Sequence, residues 1–156
     1  MANLSHWNAE VGINHTPAYQ VSGRPFAAGS IDCTNATAVN FPYVTRWVKV
    51  INKTGRPVRV GFSELGVSGA AEVGPANAYF TVPASGSVPA GAGLYGESDV
   101  LELKVSQLWL WGGSPVDMSA GIDIVAGLTT IPSNRTNMAP AESSVKPNWS
   151  GSNGVG

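Results

Sequence analysis

The sequence predicts an all-β fold, an antiparallel β-sandwich of jelly-roll type, with extended N- and C-terminal arms. The chain has 19 glycines and 11 prolines in 156 residues, and they interrupt it at short intervals. Several short segments alternate apolar and polar residues with period two, while none keeps the 3.6-residue period of a helix. Turn residues recur roughly every ten residues, a spacing typical of sandwiches and jelly rolls.

The clearest alternation lies in Tyr43–Asn52, followed by a second alternating run over Arg56–Ser63. Lys53, Thr54 and Gly55 form a short link between them, and the glycine permits a positive φ in a tight turn. The two runs therefore predict a β-hairpin. Their inward residues are Val44, Val48, Val50, Val58, Val60 and Phe62, and Trp47, Lys49 and Arg59 point the other way.

Four further segments complete the prediction. Residues 63–77, rich in Gly and Ala, predict a long loop with at most a short turn of helix, and Ala78–Val82 predicts a strand ended by Pro83. Val100–Val105 and Gly121–Leu128 each alternate as strands. The apolar parity reverses between Val105 and Leu108, which predicts a bulge or a corner between two sheets.

Both ends differ from this middle region. We divide the chain into an N-terminal arm at 1–42 with a possible edge strand at Ala38–Phe41, a sandwich core at 43–130 and an extended tail at 131–156. The tail holds few aliphatic residues, so it cannot offset its own ordering entropy. Trp7 and Trp149 are large anchors in polar surroundings, and they favour arms that dock on a partner.

Composition excludes several function classes. Charged residues are only 12% of the chain, about half the usual ~25%, which favours a surface that contacts other proteins. The net charge is −1 and no basic run exceeds a pair, so we expect no nucleic-acid partner. No segment resembles a signal peptide or an apolar run of ~20 residues, so we expect assembly in a cytoplasm and no membrane contact.

The residues of enzyme sites are scarce. His6 and His15 lie in the N-terminal arm, so the predicted core lacks a general base with a pKa near neutrality. Cys33 is the single cysteine and has no histidine or lysine beside it. Glu97 and Asp99 are weak calcium candidates without EF-hand spacing. We therefore predict no catalytic residue, no metal site, no cofactor and no enzymatic activity.

The tryptophans carry the functional hypotheses. Trp109 and Trp111 are two positions apart in a strand, so they share one sheet face. Such a pair packs in a core or a subunit interface, or it stacks against sugar rings. The predicted partner-binding residues are Trp7, Trp47, Trp109, Trp111 and Trp149.

Four blocks carry a family resemblance: WVKVINKTGRPVRVGFSELGV, YFTVPASGSV, LELKVSQLWLWGG and GIDIVAGLT. In this order they resemble small β-sandwich proteins of virus particles, especially the decoration or cement proteins of tailed bacteriophage heads. The resemblance implies a virion protein on the capsid surface, assembled in the host cytoplasm. It implies binding to the major capsid protein across adjacent capsomers, and a homo-oligomer, with a trimer favoured.

Three functional hypotheses follow. The first is a structural protein that decorates and cements the capsid. The second is a carbohydrate-binding, lectin-like module that uses exposed tryptophans, and the third is a tail or spike component of the same kind of particle.

Overall fold

The computed structural model describes residues 23–69, 78–86, 95–113 and 121–135. These residues form eight strands, one short α-helix and a final 3-10 turn. In chain order the elements are β1 (Arg24–Ile31), β2 (Thr37–Asn40), β3 (Tyr43–Asn52), β4 (Val58–Gly61), α1 (Glu64–Ser68), β5 (Tyr79–Val82), β6 (Gly96–Glu97), β7 (Gln107–Trp111), β8 (Ile122–Pro132) and the turn Ser133–Arg135.

The strands form two four-stranded sheets. The first sheet has the order β1-β8-β3-β6 and the second sheet the order β2-β7-β4-β5, with antiparallel pairing throughout. The chain crosses between the sheets at every connection except the one from β4 to β5. Eight antiparallel strands that alternate between two sheets in this way are a jelly roll. The predicted all-β, antiparallel sandwich is therefore confirmed, whereas residues 1–22 and 136–156 of the predicted arms lie outside the described residues.

The core lies between the two sheets and consists mostly of valine, leucine and isoleucine. Alternate residues of each strand point inward, as the pleat of a strand requires. The Phe26 and Phe41 rings meet edge to face, 5.0 Å apart, where the chain enters β3. Strand residues of this core that are at most 2% exposed include Val44, Val48, Val50, Val58, Val60, Val82, Leu108, Leu110, Ile122, Ile124, Ala126 and Leu128.

The sandwich extends beyond the boundaries expected from the sequence. β1 pairs with β8 and β2 pairs with β7, so both strands belong to the sheets although they precede residue 43. β2 is an edge strand, as predicted for Ala38–Phe41. At the other end Ile131 is fully buried, so the chain leaves the core later than expected. The alternation in β1 was missed because small residues and a bulge interrupt it.

The predicted hairpin between β3 and β4 is wrong, because the two strands lie in different sheets. Asn52, fully buried at the end of β3, holds the crossing. Its Nδ2 donates to the carbonyls of Arg56 (2.7 Å) and Pro83 (2.9 Å), and its Oδ1 accepts from the Thr54 N–H (2.9 Å). Both strands keep their valines toward the same core, so the alternation alone does not distinguish a hairpin from a crossing.

Val100–Val105 is not the regular strand that its alternation predicts. Its backbone follows β3 through an isolated bridge between Val48 and Leu101. Further along, the Thr45 hydroxyl donates to the Leu103 carbonyl (2.6 Å), and the Thr45 N–H donates to the Val105 carbonyl (2.8 Å). The register of β3 against β8 shifts on both sides of Thr45. At this irregular point the Thr45 side chain takes the place of part of the regular backbone ladder between β3 and residues 100–105.

The corner predicted between Val105 and Leu108 is confirmed. The Val105 carbonyl bonds to β3 of the first sheet, while the Ser106 carbonyl accepts from the Phe41 N–H (2.8 Å) beside β2. From Gln107 onward the chain runs in the second sheet as β7. The chain thus changes sheet over two residues, which reverses the face that odd-numbered residues present.

A short helix follows β4, as the loop prediction allowed. The Ser63 hydroxyl caps it by accepting from the Gly66 N–H (3.0 Å), and Gly69 ends it with a φ of 75°. Val67 of this helix is fully buried. The helix therefore packs on the sandwich.

Candidate functional site

The structure separates the tryptophans proposed as partner-binding residues. Trp47 lies on the outer face of the first sheet, beside Gly127 of β8. Trp109 and Trp111 lie on the outer face of the second sheet, opposite the buried Leu108 and Leu110. These three side chains therefore belong to opposite sides of the sandwich. Trp7 and Trp149, like His6 and His15, lie outside the described residues.

The outer face of the first sheet is largely apolar. One cross-strand row joins Ala27, Val125 and Lys49, and the next joins Pro25, Gly127 and Trp47. Directly opposed residues share a face, so these side chains form one continuous surface. Val125 at its centre is 37% exposed, and Ala27 and Pro25 are exposed as well.

The charges of this face occur in pairs at one end. Lys49 Nζ lies 2.8 Å from Glu97 Oε2, and Lys53 Nζ lies 2.8 Å from Asp123 Oδ1. The same Asp123 oxygen accepts from the Ser30 N–H (3.0 Å), where β1 bulges and Ser30 has a φ of 59°. The hydrogen bond from Lys53, followed by the one from Ser30, holds the pKa of Asp123 below its ordinary value of 3.8.

Exposed hydrophobic side chains concentrate at the first sheet. In the described part of the chain the exposed large hydrophobic residues are Leu65, Tyr95, Val100 and Val125. Val125 belongs to β8, and Tyr95 and Val100 flank β6 at the sheet edge. Leu65 alone of these four lies on the other side, in α1. Exposed apolar side chains gathered on one side of a soluble protein are typical of contact sites.

The outer face of the second sheet is built around a glycine. Gly61 of β4 stands between Trp109 of β7 and Tyr79 of β5 in one cross-strand row. A Cβ added at Gly61 would approach Val67 Cγ1 to 2.8 Å and the Ala78 carbonyl to 2.9 Å. Val67 of α1 thus occupies the space that a side chain at position 61 would need. The centre of this face is covered by the helix.

Arg59 organises the remainder of this face. It opposes Trp111 on one side and Thr81 on the other, and its guanidinium carbon lies 4.5 Å from the Tyr79 ring centre and 4.9 Å from that of Trp111. Its Nη1 also donates to the Val67 carbonyl (3.2 Å). Sequence reasoning placed Arg59 on an outward position but did not connect it with these rings, because the contact depends on the register of three strands.

Trp109 is anchored within the same face. Its Nε1 donates to Gln107 Oε1 (3.0 Å), and Gln107 Nε2 donates to Asn40 Oδ1 (2.7 Å) on β2. The indole N–H is therefore paired before any ligand arrives. Together with the cation–π contact on Trp111, this means that both tryptophans already interact with neighbouring side chains of the face and are not free to stack on a ligand independently.

Cys33 is a core residue. It lies in the link between β1 and β2, is fully buried, and its carbonyl accepts from the Gly112 N–H (2.9 Å). Burial, assisted by the negative charge of Asp32, raises the pKa of the Cys33 thiol to about 12. Such a thiol is a weak nucleophile at neutral pH.

Among the described residues, which include Glu97 and Asp99, the His, Cys, Asp and Glu side chains form no group of three or more able to hold a metal ion. No helix in the described ranges has the length and apolarity needed to cross a membrane.

Comparisons with protein-family models, with curated proteins and with solved structures found no match to this chain.

Proposed function

We propose that the chain is a structural virion protein that decorates the capsid, and that the outer face of the first sheet is the surface that docks on the major capsid protein. The observation that carries this proposal is the concentration of exposed hydrophobic residues at this sheet, with Val125, Tyr95 and Val100 between 37% and 57% exposed. Covering such a surface releases its hydration water, which is the main driving force of association.

The charges of this surface favour docking as well. Lys49 and Lys53 already have carboxylate partners, so a covering protein need not supply counter-charges. Desolvating a neutralised pair costs less than desolvating a lone charge. The apolar rows around Val125 and Trp47 can then meet an apolar partner directly.

The jelly roll and the sequence resemblance point in the same direction. Jelly rolls are frequent in viral capsid proteins, although the fold by itself does not establish a function. Binding across adjacent capsomers would let one protein hold several partners, and each added contact would raise the overall affinity without new chemistry. Trimeric association belongs to the same proposal, and the mass of the protein in solution tests it.

The experiment measures how much full-length protein binds to particles assembled without it. Val125→Lys places a charge at the centre of the docking face, beside Lys49. We expect at least ~tenfold weaker binding, about 1.4 kcal/mol, because an unpaired ammonium would be buried in the contact. Thermal melting should remain near the wild-type value, since position 125 is exposed.

Leu65→Lys is the matched control. Leu65 is 51% exposed on α1, on the opposite side of the sandwich, and the chemical change is the same in kind. We expect this variant to bind particles like the wild type. Equal binding by both variants and the wild type would contradict the docking face, and wild-type protein that does not bind particles would contradict the capsid role itself.

The contribution of the arms needs its own truncations. Deleting residues 1–20 removes Trp7, and deleting residues 136–156 removes Trp149. The second deletion starts after Arg135 because Ile131 is part of the core. If the arms grip neighbouring capsomers, each truncation lowers occupancy on particles while the melting temperature stays unchanged. Unchanged occupancy in both truncations would remove the arms from the mechanism.

Carbohydrate binding is the second candidate. The observation that favours it is the shared outer face of Trp109 and Trp111, with Tyr79 close by. Glycan binding that survives Trp109→Ala and Trp111→Ala would exclude the tryptophan pair as the platform. A tail or spike position on the particle is distinguished from a capsid position by imaging the bound protein.

A further inference from the structure

A cavity of about 330 Å³ opens at the end of the outer face of the second sheet. Arg56, Arg59, Tyr79, Thr81 and Gly113 contribute to its wall. Pockets that bind small molecules span ~300–1,000 Å³, so this one has room for a single small organic group. It lies on the side of the sandwich opposite the proposed docking face, and it would stay open in a docked protein.

Two arginines give the cavity positive charge. Its wall contains two arginines and, among the described residues, no carboxylate. The ion pairs found in the described ranges use Lys49 and Lys53, and neither Arg56 nor Arg59 takes part in them. A guanidinium that is partly withdrawn from water and unpaired attracts an anion more strongly than an exposed one.

Arg59 is held in place before a ligand arrives. Tyr79 and Trp111 flank its guanidinium at 4.5 Å and 4.9 Å, and the Val67 carbonyl accepts from Nη1. Gly113 has a φ of 80°, and a Cβ there would come within 3.2 Å of Arg59 Nε. Glycine thus leaves space beside the guanidinium. A preorganised donor loses little side-chain entropy on binding, which raises affinity.

Arg56 is anchored through its backbone. Its carbonyl accepts from Asn52 Nδ2 (2.7 Å) and from the Thr54 hydroxyl (2.8 Å), and its N–H donates to the same hydroxyl (3.3 Å). The buried amide that directs the chain from one sheet to the other therefore also positions the second arginine at the cavity. The side chain itself stays exposed.

The rest of the wall is neutral and suited to hydroxyl groups. Thr81 opposes Arg59 in the sheet and offers a hydroxyl that both donates and accepts, and Tyr79 offers an aromatic surface. We infer that this cavity binds an acidic sugar unit, whose planar carboxylate pairs with Arg59 and Arg56 and whose hydroxyls bond near Thr81. Planar bidentate pairing is the geometry in which arginine binds carboxylates most strongly.

The test titrates the isolated full-length protein, so it does not depend on the capsid proposal. Glucuronic acid and N-acetylneuraminic acid are added at low salt and compared with glucose, galactose, acetate, inorganic phosphate and a glutamate-containing peptide. Binding is followed by calorimetry and by tryptophan fluorescence, since Trp111 contacts Arg59. We expect the acidic sugars to bind with a Kd of ~1 mM and at least ~tenfold more tightly than every other compound.

Three variants locate the site. Arg56→Gln and Arg59→Gln should each weaken acidic-sugar binding at least ~tenfold, because each removes a charge-assisted contact. Arg24→Gln is the matched control: Arg24 stacks on Tyr43 at 4.2 Å in the same manner, but it belongs to the first sheet. It should bind like the wild type. Because Arg56 is exposed, its variant stays informative if Arg59→Gln fails to fold.

Several results would overturn the inference. Neutral sugars, acetate or phosphate that bind as tightly as the acidic sugars would refute the acidic-sugar class. Tighter binding of the acidic peptide would assign the cavity to a protein ligand instead. An equal loss in Arg24→Gln and Arg56→Gln would show a general charge effect and no site. Particle binding by Arg56→Gln should be unchanged, which separates this inference from the docking proposal.

Discussion

The outer faces of the two sheets differ although both rest on the same core. On the first sheet the central residues are apolar and open, and the lysines at its end are neutralised by Glu97 and Asp123. On the second sheet a helix covers the centre, and an arginine without a carboxylate partner in the described ranges lies between two aromatic rings.

This difference shows how one sandwich can present two kinds of binding surface. A broad apolar area with paired charges suits another protein, because little charge must be desolvated on contact. A small cavity with two arginines, and with no carboxylate among the described residues of its wall, suits a small anionic ligand. The feature that separates the two faces is local. Gly61 lacks a side chain, so α1 can lie on the second sheet, while Val125 fills the middle of the first.

The largest expected effect concerns the core between the two sheets, which supports both outer faces. Cys33 is buried in the link between the two sheets, with a pKa raised from 9.0 to about 12. We expect native protein at pH 8 to react with iodoacetamide ~10³-fold more slowly than protein unfolded in urea, since the thiolate is the nucleophile. Reaction at equal rates in both states would mean that the sheets separate readily, and the two faces would then not share a rigid core.

Gly61→Ala tests the cover on the second sheet. The new Cβ would meet Val67 and the Ala78 carbonyl at 2.8 and 2.9 Å, so either the helix or β5 must move. We expect a loss of about 1–3 kcal/mol in the free energy of unfolding, measured by urea denaturation.

Gly55→Ala is the control for that change. A Cβ at Gly55 has no neighbour within 4 Å, so stability should change by less than ~0.5 kcal/mol or rise slightly. Equal stabilities of the two variants would indicate that α1 does not need the space above Gly61. The contrast between a covered and an open face would then lose its explanation.

The smallest expected effect lies in the ion pairs of the first sheet. The pKa of Asp123 is lowered in the folded state, so its contribution to stability is present above its ordinary value of 3.8 and is lost as the pH falls through the lower folded value. Because the pair is partly exposed, we expect Asp123→Asn to lose ~0.2–1 kcal/mol at pH 7 and less at pH 2.

Urea denaturation of wild type and Asp123→Asn at both pH values measures this difference. Glu97→Gln is the companion variant, since it removes the more exposed of the two ion pairs of this face. A stability difference between wild type and Asp123→Asn that is the same at pH 7 and pH 2 would contradict an electrostatic origin.

The sequence predicted the buried faces of the strands better than the connections between the strands. Period-two alternation correctly identified the buried sides of β3, β4, β7 and β8. It failed at Val100–Val105, where Thr45 replaces part of the ladder, and at the predicted hairpin, where Asn52 directs the chain across the core. In both places a polar side chain determines the path of the backbone. A pattern of apolar residues does not reveal such a side chain.

The candidate site was predicted in part. The alternation within a single strand predicted that Trp109 and Trp111 face away from Leu108 and Leu110. The structure shows this orientation. The contact of Arg59 with Tyr79 and Trp111 joins β4, β5 and β7, which are far apart in the chain. No single segment contains that information, because the register of three strands creates the contact.

By itself the sequence determined the all-β class and which residues of the long alternating strands point inward, because successive side chains of any strand point to opposite sides. The tertiary structure alone decided which sheet each strand joins. It thereby placed Trp47 on one side of the molecule and Trp109 and Trp111 on the other. The physical reason is that alternation is a local property of the backbone, whereas strand pairing depends on long-range contacts such as that of the buried Asn52 with Pro83.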